Sequence, residues 1–285
     1  MKKTILETIL NPRTLSVCFQ PIFRVKDGSR QVDSLEALIR GPRHSNFSRA
    51  DILFDYVRRK RAEAEVDQSC LIAICEAAVD LPQDMRLNVN VHASTLGHRS
   101  GFVDIFRREA KKRSLAFERF TLEIVEHAPT CNIPELSNSI AELRSSGVRI
   151  ALDDVGLGQS NYRMMLDCAP DYFKVDAYFV RGLAEDSKRR AVIESLVALA
   201  NALGSAVVAE APGSEEDICQ LLKLGVELMQ ANILCAAMPV QELQRLGLVG
   251  KPNASAATVA ENRVMPELEY RRLHAQMAAG HTIYT

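Results

Sequence analysis

Charge of one sign is missing: 35 lysines and arginines stand against 36 aspartates and glutamates, a formal net charge of −1 over 285 residues. No global field is therefore available to recruit a nucleic-acid polymer or an anionic membrane. The seven cysteines are odd in number, scattered from Cys18 to Cys235, and include no C-x-x-C pair. That pattern argues against a disulfide framework and a thiolate zinc site, and it suits a reducing cytoplasm. Long apolar runs are missing too. The most apolar stretch, Ala191 to Val208, contains Glu194, Ser195, Asn201 and Gly204 and reads as a helix, a glycine stop and a strand. Met1-Lys2-Lys3 is followed by Glu7 and by no small-residue cleavage site, so no signal peptide is expected. With 47% hydrophobic and 25% charged residues, the composition excludes disorder, collagen and coiled coil. The one local charge run, Arg58-Arg59-Lys60-Arg61, reads as a solvated helix face.

What is present is a regular alternation. Short β-branched or aliphatic runs predict strands over Val17 to Phe23, Leu35 to Ile39, Leu87 to Val91, Thr121 to Val125, Arg149 to Asp153, Tyr172 to Val175, Ala206 to Ala209 and Leu228 to Gln230. Helical periods lie between them, at Ala50 to Lys60, Val66 to Val79, Phe102 to Lys112, Ile133 to Ser145, Lys188 to Leu203 and Ser214 to Leu224. Strand alternating with helix predicts right-handed crossovers and a parallel α/β sheet. Lys26-Asp27-Gly28 is too short for a crossover, so the first strand is expected to run antiparallel to the rest. After Pro239 the periodicity fades. Residues 1-247 are read as the barrel domain and 248-285 as a linker and C-terminal helical arm, with a helix over Pro266 to Ala279 that packs on the barrel or meets a partner.

Polar residues recur on seven successive strands: Glu36, Asn90, Glu123, Asp153 with Asp154, Lys174, Glu210 and Gln230. An open sheet offers one switch point for a ligand, whereas a barrel brings every strand end to one mouth. Five carboxylates around one ammonium would repel or shift upward in pKa unless cations intervene. Oxygen donors without histidine or thiolate favour Mg²⁺, Mn²⁺ or Ca²⁺. The number of carboxylates suggests two ions sharing a bridge, best supplied by Asp153, an arrangement suited to phosphodiester hydrolysis. A rival chemistry is a Schiff base on Lys174, which needs a depressed pKa that surrounding carboxylates oppose.

The same residues carry a resemblance. Glu36-Ala37-Leu38 is followed in order by Asn88-Val89-Asn90-Val91, Leu122-Glu123-Ile124-Val125-Glu126, Ala151-Leu152-Asp153-Asp154-Val155-Gly156, Phe173-Lys174-Val175-Asp176, Val208-Ala209-Glu210 and Gln230. This ordered set, over roughly residues 15 to 245, resembles the EAL domain family of cyclic di-GMP phosphodiesterases. The resemblance implies a modified TIM-like (β/α)8 barrel with an antiparallel first strand, and hydrolysis of cyclic di-GMP to linear pGpG. It implies Glu36, Asn90, Glu123 and Asp153 around one Mg²⁺ or Mn²⁺ ion, and Asp153, Asp154 and Glu210 around a second, with Ca²⁺ supporting binding without turnover. Lys174 would serve the attacking water, Gln230 would hydrogen-bond near it, and Glu126 would anchor the loop after the fifth strand. Gln20 and Arg40 match substrate-contacting positions. The implied setting is a cytoplasmic homodimer open to a regulatory protein partner. The alternative is a catalytically weak or inactive barrel serving as a cyclic di-GMP receptor or protein-interaction module. Departures from the family pattern fall at Val155, Leu157 and Gln159, at Ala211-Pro212-Gly213, at Ala231 and Asn232, and at His92, which reads as structural. Gly213 stands where the family has a carboxylate, so one metal site is expected to be weakened.

Overall fold

Two residues, Asp27 and Gly28, turn the chain back on itself at positive φ (50° and 75°), the conformation a tight hairpin requires. In this computed structural model, which describes residues 4–98, 101–125, 132–157 and 162–250, the turn joins β1 (Ser16–Lys26) to β2 (Ser29–Arg40). The two strands pair antiparallel, with a register shift between Ile22 and Phe23. The short helix α1 (Ile5–Ile9) precedes them under a Thr4–Glu7 capping box. From β2 onward each strand pairs parallel with the next: β3 (Arg86–His92), β4 (Phe120–Val125), β5 (Arg149–Val155), β6 (Tyr172–Val175), β7 (Ala206–Glu210) and β8 (Leu228–Gln230). β1 then closes the ring antiparallel to β8, Phe23 opposite Met229. Among the described residues all eight expected strands are present, and the chain folds as the expected α/β barrel.

The crossovers are α2 (Ala50–Lys60) and α3 (Glu63–Ala77), α4 (Ala93–Leu96) and α5 (Phe102–Lys112), α6 (Ile133–Ser145), α7 (Tyr162–Cys168), α8 (Ala177–Val180) and α9 (Ser187–Leu203), and α10 (Glu215–Lys223). A last helix, α11 (Val240–Arg245), follows β8, and Leu248 and Val249 beyond it are buried in the core. Gly204 ends α9 at φ 74°, and β7 begins two residues later, as the helix, stop and strand reading required. No helix among the described residues is long and apolar enough to cross a membrane. The expected helix over Pro266 to Ala279 lies outside the described residues.

The alternation of period two along each strand sorts the side chains. Leu35, Ala37 and Ile39 of β2, Leu87, Val89 and Val91 of β3, and Phe120, Leu122 and Ile124 of β4 join the core beneath the helices. Their neighbours face the barrel interior. There Ile22, Val208 and Leu228, with Tyr172 against them, form a separate small apolar cluster. Arg86, paired with Asp33 and bonded to Tyr172 Oη (3.1 Å), accompanies it. Toward the carboxyl ends of the strands the interior turns polar.

Candidate functional site

Glu36 and Asn90 lie at inward positions of β2 and β3, Glu123 of β4, and Lys174 of β6, so a single interior layer gathers them. Lys174, 1% exposed, is the hub. Its Nζ lies 2.7 Å from Glu123 Oε2, 2.8 Å from Glu210 Oε1, 3.2 Å from Glu36 Oε2 and 3.3 Å from Asp153 Oδ1. Amides bracket the ring: Asn90 Nδ2 donates to Glu36 Oε1 (2.7 Å), Asn88 Nδ2 to Glu123 Oε1 (2.6 Å), and Gln230 Nε2 to Glu36 Oε2 (2.6 Å). Gln230 Nε2 also donates to Gln20 Oε1 (3.1 Å), and Gln20 Nε2 donates to Asn232 Oδ1 and the Cys235 carbonyl (3.1 Å each). β1 and β8 are thereby stitched together beside the site.

The electrostatics follow from burial and crowding. Burial lowers the Lys174 pKa, but Asp153, Glu123, Glu210 and Glu36 together hold it well above the ordinary lysine value. That opposes Schiff-base chemistry. Burial raises Glu36, yet the Lys174 ammonium and the Gln230 and Asn90 hydrogen bonds outweigh it and keep this carboxyl below its usual range. Glu123, fully buried, goes well up because burial and the Glu36 charge exceed the pull of Lys174. Glu210 rises to about 7, through burial first, with Asp153 and Glu36 repelling it against the pull of Lys174. Asp154 rises to about 6, through burial and then its neighbours Asp153 and Asp176. The site holds more negative charge than one ammonium balances.

Asp153, Asp154 and Glu210 offer carboxylate oxygens that all lie within 4.8 Å of one another, and every donor in the set is oxygen. Gln230 Oε1 is buried close by with no hydrogen-bond partner among the described residues. This donor set fits a hard divalent cation. Asp154, next to last in β5, and Ala211, directly after β7, both hold positive φ (51° and 48°) despite their Cβ atoms. Such conformations persist at functional sites where surrounding structure over-determines them.

A cavity of about 230 Å³ opens beside the cluster and is lined in part by Glu36, Arg40, Asn90, Asp153 and Asp154. Arg40, matched to a substrate-contacting position, is among the residues lining it. Gln20 is not among the residues lining this cavity; its amide is engaged by Gln230, Asn232 and Cys235. Glu126 and Gln159 lie outside the described residues. His92 is held by Asp67, which accepts from the His92 backbone N and ring Nδ1 (2.9 Å each) and from Thr95 Oγ1 (2.6 Å). Arg58, Arg59, Lys60 and Arg61 are all exposed, as the solvated-face reading expects, and Arg58 also rims the cavity while Arg59 pairs with Asp55. Two contributors escaped sequence reasoning. Asn88 shares the inward phase of Asn90, two residues away, which is the signal that identifies it. Asp67 is the one acid on a helix face otherwise made of Val66, Cys70, Leu71 and Ile74. Gly213 lacks the positive φ that would make glycine obligatory, and a Cβ there would point at Asp217 Oδ2, 3.3 Å away.

The EAL domain family model matches residues 3–237. The cyclic di-GMP phosphodiesterase NbdA of Pseudomonas aeruginosa is 27% identical over 253 residues, covering 84% of this chain and 31% of that protein. The chain thus spans about a third of the length of this curated relative. The PaMucR phosphodiesterase in complex with c-di-GMP superposes with a TM-score of 0.71 at 25% identity, covering 84% of this chain and 97% of that one. A manganese and cyclic di-GMP complex of Klebsiella pneumoniae BlrP1 gives a TM-score of 0.68 at 25% identity, with 79% of this chain and 56% of that chain covered.

Proposed function

The chain belongs to the EAL domain family, and from that membership we propose that it is a divalent-metal-dependent phosphodiesterase that opens cyclic di-GMP to linear pGpG. The observation that carries this reading is the convergence of Asp153, Asp154 and Glu210 at the edge of a cavity lined also by Glu36 and Asn90. In this reading Glu36, Asn90, Glu123 and Asp153 hold one ion, and Asp153, Asp154 and Glu210 a second. Bound Mg²⁺ or Mn²⁺ would acidify water and neutralise charge on the phosphate.

The chain's own residues do the rest. Lys174, held by four carboxylates at 2.7–3.3 Å, keeps its Nζ–H donors within the cluster, where they would orient the attacking water and face the charge that grows at phosphorus. Water oxygen bonds to phosphorus as the bond to the 3′ oxygen breaks, and one proton from that water ends on the 3′ oxygen. Gln230, bonded to Glu36 and Gln20, fixes the floor on the β1 side, and Arg40 supplies charge for a phosphate. Glu126 is assigned to anchoring the loop after β5. A cytoplasmic setting, a homodimer and a regulatory protein partner complete the reading, with the linker and arm taken to begin after Val249, since Leu248 and Val249 pack in the core. Light scattering of the purified chain tests the dimer.

The decisive experiment incubates the chain with cyclic di-GMP and Mn²⁺ and separates the products by chromatography. Linear pGpG is expected, with loss on chelation, recovery on adding Mn²⁺, and Ca²⁺ supporting binding without turnover. Binding without any linear product at high protein concentration would replace this reading with that of a receptor.

A further inference from the structure

The cavity beside the carboxylates has a second side of opposite chemistry. Arg40, Arg58 and His92 line it, with the Phe54 ring packed by that of His92 at a centroid distance of 6.1 Å. These donors are lightly used. Arg40 Nη1 bonds the carbonyl of its own neighbour Ile39, and among the described residues Arg58 reaches Asp55 at 3.8 Å. His92 spends Nδ1 on Asp67, and its Nε2 has no partner among the described residues. Cys70, Ile74 and Val125, also in the lining, are apolar and would desolvate a phosphate without partnering it, whereas they suit the face of a purine.

We propose that Arg58, with Phe54 as the adjoining wall, reads one guanine base of the cyclic dinucleotide while Arg40 attends to phosphate. This rests on the phosphodiesterase reading above. Guanine presents N7 and O6 on one edge, two acceptors that match the guanidinium fork. Adenine presents N7 beside an amino donor, which the fork cannot satisfy. Arg58 is therefore a specificity-determining residue.

Titration calorimetry of the full chain with cyclic di-GMP and with cyclic di-AMP, in Ca²⁺, tests this. The parent is expected to favour cyclic di-GMP. R58A should weaken cyclic di-GMP by roughly 10- to 100-fold and bring the two ligands toward equal affinity, since one bidentate base contact carries discrimination of that order. R58K should behave like R58A, because lysine keeps the charge and loses the fork. R59A, altering the exposed neighbour, should bind as the parent does, and thermal melts of all variants check folding. Unchanged cyclic di-GMP affinity in R58A overturns the inference alone. Equal losses for both ligands that R58K restores overturn the base assignment in favour of charge. Failure of the parent to bind either ligand overturns the phosphodiesterase reading and this inference with it.

Discussion

Lys174 gives up almost all contact with water to sit among four carboxylates, and that burial decides what its replacement does. In Lys174→Met the carboxylates keep their burial and lose the ammonium they share. Removing one partner of a buried pair costs about 3–5 kcal/mol. The metal-free variant should therefore melt well below the parent, and saturating Mn²⁺ should recover most of the difference. Turnover should fall by roughly 10² or more with cyclic di-GMP affinity nearly intact, because the ammonium serves charge that develops only during reaction. Steady-state kinetics beside a melt with and without Mn²⁺ separates the two effects. An equally stable metal-free variant would show that Lys174 is not the counter-ion of the ring.

Between elements, two buried aspartates act as knots. Asp67 on α3 ties down the end of β3 and the start of α4 through His92 and Thr95. Asp217 on α10 accepts backbone N–H bonds from Gly182, Ala184 and Gly213 at 2.9–3.0 Å, joining the turn after α8 to the loop after β7. Stranding these buried donors should make Asp67→Ala and Asp217→Ala each cost roughly 3 kcal/mol in urea unfolding. Gly213→Glu would set a second carboxylate against Asp217, so it should lower the melting temperature and leave the Mn²⁺ titration unmoved. A sharpened Mn²⁺ requirement would restore Gly213 as the place of a missing carboxylate. The eight strands were legible because each carries the same message twice: apolar residues in one phase and a polar residue in the other. Helices with long amphipathic periods were legible within a few residues of their ends, and Phe102–Lys112 coincides with its expected span. α4 and α8, four residues each, carry too few turns for any period to register. The members of the site could be named from strand ends, but its wiring could not. Lys174 and Glu36 stand 138 residues apart in sequence, and only closure of the ring sets which carboxylates share the ammonium.

For the whole molecule, the charge ledger of the mouth couples folding to protons and metal. Asp154 and Glu210 have folded pKa values of about 6 and about 7, above their ordinary values of 3.8 and 4.5. A carboxyl raised on folding contributes stability that is fully present below its unfolded pKa and is lost as pH rises through the folded one. The metal-free barrel should therefore lose this contribution between about pH 4 and 7, and its melting temperature should be lower at pH 8 than at pH 5.5 on this account. Mn²⁺ binds the deprotonated oxygens, so its stabilising increment should be larger at pH 8, with affinity falling about tenfold per pH unit for each proton displaced at lower pH. Melts at the two pH values with and without Mn²⁺ check the sign. An increment independent of pH would mean that neither carboxyl gives up a proton to the ion. The hairpin start of the barrel carries a consequence in time. Strands β2 to β7 each find a neighbour made shortly before or after them, while β1 waits about two hundred residues for β8, since Phe23 faces Met229. Until then Gln20 has no Gln230 to meet and Glu36 lacks one of its donors. Closing so long a loop is the slow event for such a chain. On the ribosome, the mouth comes into being with the last strand to emerge, all at once and not ligand by ligand.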